Sequence, residues 1–421
     1  MPSDRAEGTE RKSKLPVVLG TALLIALGTA LGFILSEAAY RAALYGLIAP
    51  ERFARATTGS FAVNDKPMWR YDERFGYVYP RGEQIHIAGV TGGRVTACSW
   101  YPKFNEEGNV GRIVGDYASA EVKILAFGDS FTAISHDGVT WPLLLQEALG
   151  KRTGRSVNVV NYGRDGTGIL QMFDIAAAKV GERKPDLAII AFITNDLQRV
   201  RFWRAPVQMD GRWRLLVSPE PTPNPDPAKS YDTAIFHPEA TADWCQKMKA
   251  SGARDQVLEE AEDVYRRGIG IGERRVPSIL TLRHLYLLAR VRHGDPFHGV
   301  GEAFSFPVIQ YASYAEDARF VESLRTLEAS GIPYVLMHLP IYPELKAGRE
   351  YILTNQEARL LKSLAQVTGK PIYETTRYTK MPVEKPERLI NAQDDHHPSL
   401  AGLQFYADAI AEILVRDGFV K

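Results

Sequence analysis

The residues able to do chemistry stand at the ends of apolar runs. The stretch "VKILAFGDSFT", Val122 to Thr132, reads as a buried strand that stops on Gly128, Asp129 and Ser130. In an open parallel sheet, ligands bind beyond the carboxyl ends of the strands, so a serine there is exposed at the head of a turn, its own amide free to donate. "VVNYGRDGTG" puts Gly163 at the matching level, where a bare amide can approach a ligand. "AFITND" puts Asn195 at the same rim, with a carboxamide able to donate to an oxyanion. Near the C-terminus, "NAQDDHHPSLAG" sets Asp394 three residues before His397. A histidine needs a carboxylate on one ring nitrogen to fix its tautomer and a nucleophile at the other.

Each piece alone has a plainer reading. Asp-Ser after a strand is a turn or helix cap, Gly163 an ordinary turn glycine, Asn-Asp a cap, and the C-terminal stretch a polar loop with Ser399 as N-cap. Metal binding by His396 and His397 is a weaker option, because no His-Glu-x-x-His or Cys-rich spacing accompanies them.

The elements that must position these residues follow from periodicity. Strands are expected at Val122–Gly128, Val157–Tyr162, Leu187–Phe192, Tyr334–Leu339 and Pro371–Tyr373. Helices fall between and after them: "GVTWPLLLQEALGK", with Pro142 near its start, "TGILQMFDIAAAKVGER", "DARFVESLRTLEASG", which ends in Gly331, and the closing "SLAGLQFYADAIAEILVRDG". The alternation is that of a parallel sheet covered on both faces. It is interrupted at about 197–314 by an insertion too long for a loop, containing a hairpin at Asp210-Gly211, a Pro-rich connector, and helices around "DQVLEEAEDVYRR" and "ILTLRHLYLLARV". Residues 57–116 read as a small β-rich preface, and 117–421 as the α/β domain.

Four motifs in chain order at successive sheet elements make a pattern that none makes alone. The set, "FGDSFT", the Gly of "NYG", the Asn of "TND" and "DDHHP", resembles the SGNH (GDSL-type) hydrolase family from about Val122 to the C-terminus, the insertion apart. The resemblance implies a flavodoxin-like three-layer α/β sandwich with a central parallel sheet and no cofactor or metal. It implies Ser130 as nucleophile, the Ser130 amide, Gly163 and Asn195 as oxyanion hole, and Asp394 with His397 as the remaining pair. Two departures stand out: Ile193 precedes Thr194 where a Gly often lies two before the Asn, and the Asp-Asp-His-His run admits Asp395 or His396 as the working member. The implied activity is hydrolysis of O-acyl esters through an acyl-serine, with acetyl groups on a cell-envelope polysaccharide as candidate substrates. Alternatives are an O-acyltransferase using the same serine, and a non-catalytic envelope binding or scaffold protein. In the insertion, Arg199, Arg201, Arg204, Arg212 and Arg214 among Trp203 and Trp213 suggest a carbohydrate-stacking surface, with Arg201, Trp203, Arg212 and Trp213 as candidate contacts; a packed hairpin or a face toward lipid headgroups are the other readings.

The 421 residues are 45% apolar and 24% charged, as in a globular protein, and their net charge of +1 supplies no bulk attraction for nucleic acid. One segment departs from that composition. Leu15 to Leu35 lacks any charge and has the length of a bilayer span, following Arg5, Arg11, Lys12 and Lys14. The positive-inside rule makes 1–14 cytoplasmic and sends the rest outward, with a helical membrane-proximal segment at 36–56. The reading is a single-pass bacterial inner-membrane protein with a periplasmic catalytic domain; a cleaved signal peptide is the alternative, against which stand the long apolar run and the lack of an A-x-A site. Cys98 and Cys245, the only cysteines, are able to pair in an oxidising compartment.

Overall fold

The computed structural model of the chain describes residues 15–46, 60–64, 67–83, 85–91, 94–101, 104–209, 212–225, 231–236, 282, 308–347, 353–378, 385–392 and 395–421. Cys245 and, apart from Leu282, the expected insertion helices at 255–267 and 279–291 lie outside them. The chain divides into two compact units, Met1–Ser60 with Val90–Arg94 and Gly252–Ala303, and Phe61–Gly89 with Val95–Ser251 and Phe304–Lys421.

In the first unit the principal described element is α1 (Leu15–Gly46), one continuous 32-residue helix, about 48 Å long at 1.5 Å per residue. The expected span and the start of the segment after it are therefore one rod. Its stretch Gly20–Ala39 has a mean hydropathy of 1.9, and Leu23, Leu24, Leu27, Leu31 and Leu35 are all exposed. By length and composition it can cross a membrane.

In the second unit, the strands β1 (Ser60–Asn64), β2 (Arg70–Asp72), β3 (Gly76–Val78), β4 (Ile85–Thr91) and β5 (Arg94–Tyr101) precede β6 (Val122–Phe127). Then come α2 (Ser130–Ala133), α3 (Trp141–Thr153), β7 (Val157–Asn161), α4 (Ile169–Arg183) and β8 (Leu187–Phe192). The insertion supplies β9 (Trp203–Met209), β10 (Arg212–Ser218) and β11 (Tyr231–Phe236). The chain finishes with α5 (Ala318–Ala329), β12 (Tyr334–His338), α6 (Tyr342–Ala347), α7 (Asn355–Thr368), β13 (Ile372–Glu374), β14 (Ile390–Ala392), β15 (Asp395–Pro398) and α8 (Leu400–Arg416).

The central sheet runs β13-β12-β8-β6-β7, every neighbour parallel. Counting its own strands in chain order, that is 2-1-3-4-5, the flavodoxin order, whose switch point lies between its first and third strands, β6 and β8. Side-chain alternation divides the core into two layers. Leu187, Ile189 and Ala191 of β8 join Trp141 and Leu145 of α3 and Leu403 and Ile410 of α8 on one face. Ala188, Ile190 and Phe192 join Phe173 of α4, Phe320 of α5 and Leu360 of α7 on the other. Burial of each such Leu, Ile or Phe contributes roughly 1.5–3 kcal/mol, which is why the strands read as unbroken apolar runs. This is the three-layer α/β fold expected.

Preface and insertion prove to be one structure. Preface strands β1, β4 and β5 and insertion strands β9 to β11 form one sheet in the order β5-β4-β1-β11-β10-β9, with β1 parallel to β11 through Val63 opposite Ile235, while β2 and β3 pair by themselves. Strands β9 and β10 pair antiparallel with Met209 opposite Arg212, while Asp210 and Gly211, where the hairpin turn is expected, lie outside the described residues. Helix α7 was not among the expected helices. Thr354 Oγ1 accepts from the Glu357 amide and Glu357 Oε2 from the Thr354 amide, a reciprocal cap written in the residues "TNQE".

Candidate active site

The apolar run of β6 ends on Gly128 because only a glycine fits there: a Cβ would lie 2.1 Å from Thr132 Oγ1 and 2.7 Å from the Ala191 carbonyl of β8. Asp129 then caps α2, its Oδ1 accepting from the Phe131 amide at 2.9 Å. The cap reading of Asp129 thus holds, and it is also what presents the next residue. Ser130 begins α2, where a first-turn amide has no intrahelical partner, and its amide makes no hydrogen bond among the described residues. Its Oγ lies 2.8 Å from His397 Nε2.

His397 sits on a two-stranded ribbon, β14 against β15, where the sequence suggests only a loop. The ribbon is pinned by His136 Nε2 donating to the Pro398 carbonyl at 3.0 Å, and the imidazole packs against the Phe131 ring with 5.1 Å between centroids. Ser399 caps α8 as expected, its Oγ accepting from the Gly402 amide. Asp394, the expected partner of His397, lies outside the described residues, as do the side chains of Asp395 and His396.

Gly163 follows β7 and presses on the nucleophile turn. A Cβ there would stand 2.7 Å from Ala133 N and from Thr132 C, both backbone atoms of α2. Its amide donates to Asn161 Oδ1 at 2.9 Å, while Asn161 Nδ2 donates to the Thr132 carbonyl. The expected oxyanion donor therefore already serves in holding the two turns together. Gly163→Ala forces those turns apart, and its expected cost in urea-unfolding free energy is about 1–3 kcal/mol, as for an overpacked core.

Asn195 follows β8 in the 3₁₀ turn Thr194–Leu197. Its side chain is exposed and makes no hydrogen bond among the described residues. Behind it, Thr194 Oγ1 donates to Glu344 and lies 3.2 Å from His338 Nε2, whose Nδ1 is 2.8 Å from Glu374 Oε2. This polar cluster has no signature in the sequence, because its members come from the turn after β8 and from β12, α6 and β13.

Sequence reading also missed the residues beside the named ones. Asp129 and Asp196 are both fully buried, and Arg199 reaches both. Asp196 Oδ2 accepts from the Ile193 amide at 2.9 Å, and its Oδ1 from Arg199 Nη1. Burial pushes the Asp129 carboxyl above its ordinary value, against the pull of the Arg199 guanidinium. Asp196 is raised well above the usual carboxylate range, first by burial and then by the neighbouring charge of Asp129. Two buried carboxylates around one cation hold a proton more readily than exposed ones. A readable signal existed: each Asp adjoins a residue named for chemistry.

The proposed Arg-Trp surface needs correction. Arg201 is largely covered and fully engaged, its Nε 2.7 Å from Asp174 Oδ2 and its Nη1 2.7 Å from Asp317 Oδ2. Trp203 is 5% exposed and donates from Nε1 to the Glu73 carbonyl. Arg204 lies within a cage of Trp69, Tyr77 and Phe202 rings. A buried guanidinium requires carboxylates or aromatic faces, and these arginines have them inside the protein. The side chains of Arg212 and Trp213 lie outside the described residues.

Residues 124–211 match the family model of the GDSL-like lipase/acylhydrolases. That stretch is similar to a GDSL-like lipase/acylhydrolase domain. The match includes Ser130, Gly163 and Asn195 and stops short of His397, which geometry brings to the GDSL serine. The matched family is one of esterase-type hydrolases. No curated protein matches the chain. Among solved structures, a lipase/acylhydrolase from Enterococcus faecalis is similar at 14% identity, over 71% of this chain and 97% of its own, with a TM-score of 0.32. A variant of an acetyl xylan esterase from Geobacillus stearothermophilus is similar at 17% identity, over 72% and 97%, with a TM-score of 0.31. A GDSL-family lipolytic protein from Desulfitobacterium hafniense DCB-2 is similar at 12% identity, over 70% and 100%, with a TM-score of 0.26.

Proposed function

We propose that the protein is a serine esterase that hydrolyses O-acyl esters through an acyl-serine, held to the cell envelope by its N-terminal helix. The observation that carries the reading is the 2.8 Å contact of Ser130 Oγ with His397 Nε2 at the rim of the parallel sheet. In the proposed cycle, Nε2 takes the Ser130 proton as Oγ attacks the ester carbonyl. The oxyanion that forms meets the amide of Ser130 and the carboxamide of Asn195. Gly163 is the third donor, sharing its proton with Asn161 Oδ1. The imidazolium then protonates the leaving alcohol, and water, activated by the same nitrogen, releases the acid and restores the serine. Asp394 is proposed to set the His397 tautomer.

Acetyl groups on an envelope polysaccharide are the proposed substrates, because a membrane-tethered domain works on what lies within its reach. The test is acetate release from a chromogenic acetyl ester and from O-acetylated polysaccharide by the detergent-purified full chain. Transfer outrunning hydrolysis when an alcohol acceptor is added would convert the reading to an O-acyltransferase. Absence of both, with no phosphonate labelling of Ser130, would leave a binding protein.

The proposed topology places the N-terminus in the cytoplasm and everything after α1 outside. A reporter active only in the periplasm gives signal when fused after Lys421 and none when fused before Met1; the opposite pattern overturns the orientation.

A further inference from the structure

A single nitrogen touches all three turns of the site. Arg199 Nη1 donates to Asp196 Oδ1 on the Asn195 turn, lies 3.4 Å from Asp129 Oδ2 on the Ser130 turn, and lies 3.3 Å from the Thr167 carbonyl on the turn that follows Gly163. Thr167 in turn bonds back, its Oγ1 donating to the Gly128 carbonyl at 3.0 Å. The close approach is built in, since a Cβ on Gly168 would lie 2.6 Å from Arg199 Cβ. Arg199 comes three residues after Asp196, at the start of the insertion, and its side chain is four-fifths buried.

The arrangement has a consequence for the serine proton. Ser130 Oγ has two acceptors in view, His397 Nε2 at 2.8 Å and Asp129 Oδ2 at 3.5 Å. A proton directed at Asp129 is unavailable to the imidazole, and a serine so oriented is a poor nucleophile. The Asp129 oxygen that competes is the one that Arg199 faces. A guanidinium there occupies the lone pairs of that oxygen, so that the hydroxyl turns to His397.

We propose that Arg199 is a positioning residue for the reaction, joining the serine, glycine and asparagine turns through one guanidinium and drawing Asp129 Oδ2 away from the Ser130 hydroxyl. The proposal rests on Ser130 being the nucleophile. It assigns no contact between Arg199 and the substrate, so substrate affinity is independent of it and the chemical step is not.

The test uses the full chain in detergent with Arg199→Gln and Arg199→Lys. The main readout is the rate at which a fluorophosphonate labels Ser130, located by peptide mass spectrometry and normalised to the folded fraction from circular dichroism. Because misplacing a reacting group by about 1 Å costs on the order of 10²-fold, Arg199→Gln is expected to slow labelling and kcat by about that factor with KM unchanged. Arg199→Lys, which restores one cationic nitrogen on a shorter stem, recovers part of it, to within about tenfold of the wild type. A purely structural ion affects unfolding temperature but not the labelling rate of the molecules that remain folded. Labelling of folded Arg199→Gln at the wild-type rate therefore overturns the proposal. If the glutamine protein does not fold, the lysine protein decides: slower labelling at unchanged KM upholds the role, and the wild-type rate overturns it. If the wild type itself fails to label at Ser130, the nucleophile reading falls first and this one with it.

Discussion

Ser130→Ala and His397→Ala are each expected to lower kcat for ester hydrolysis by up to about 10⁶-fold, and the double substitution to fall little further. In the proposed mechanism the two side chains, 2.8 Å apart from Oγ to Nε2, act as one device, so removing either half is expected to remove the whole. Neither change opens a large cavity, because both side chains are only partly buried, and both proteins are expected to unfold at nearly the wild-type temperature. The check is steady-state kinetics on a chromogenic acetate, with the phosphonate probe reporting the serine directly. A Ser130→Ala protein retaining a tenth of the wild-type rate ends the case for this nucleophile. Additive losses in the double variant would mean that the two residues act in separate steps.

Asn195→Ala is expected to lower kcat by about 10²–10³-fold, the usual loss for one oxyanion-hole donor, with KM little changed. The expectation follows from what Asn195 does not do. Its carboxamide is exposed and unengaged among the described residues, whereas the turn that carries it is anchored by Thr194 and Asp196. Truncating Asn195 therefore leaves the turn standing and removes only the donor. Equal losses in kcat/KM and kcat place the effect in the transition state, while a raised KM at constant kcat would instead make Asn195 a ground-state binding residue. Asn195→Asp serves as the companion: it keeps the size but sets a negative charge where one must develop, so it should be at least as impaired as the alanine.

Much of this was legible in the sequence, for local reasons. Strand β8 was expected at Leu187–Phe192 and is found there, because seven apolar residues bounded by Asp186 and Thr194-Asn195-Asp196 have one ready state in an α/β chain. The cap at Ser399 and the apolar helix at the N-terminus rest equally on short-range chemistry. Arg201 and Trp203 misled because the same residues suit a sugar surface or an internal ion network, and composition does not distinguish them. Only burial separates the two, and burial is a property of the assembled chain.

By itself, then, the sequence determined the alternation of strands and helices, the strand ends on which Ser130, Gly163 and Asn195 stand, and the span-length apolar helix. Periodicity and turn chemistry act within a few residues and survive without the rest of the molecule. Only the tertiary structure decided which residues meet across the chain. The 2-1-3-4-5 strand order sets β6 beside both β7 and β8, and so brings turns more than thirty residues apart to one guanidinium. Other long-range pairings bring His397, on its own ribbon, across 267 positions to Ser130 and join β1 to β11 in a second sheet. Such contacts follow from the order in which strands pair, a choice governed by the sum of packing over the whole domain and written in no single segment.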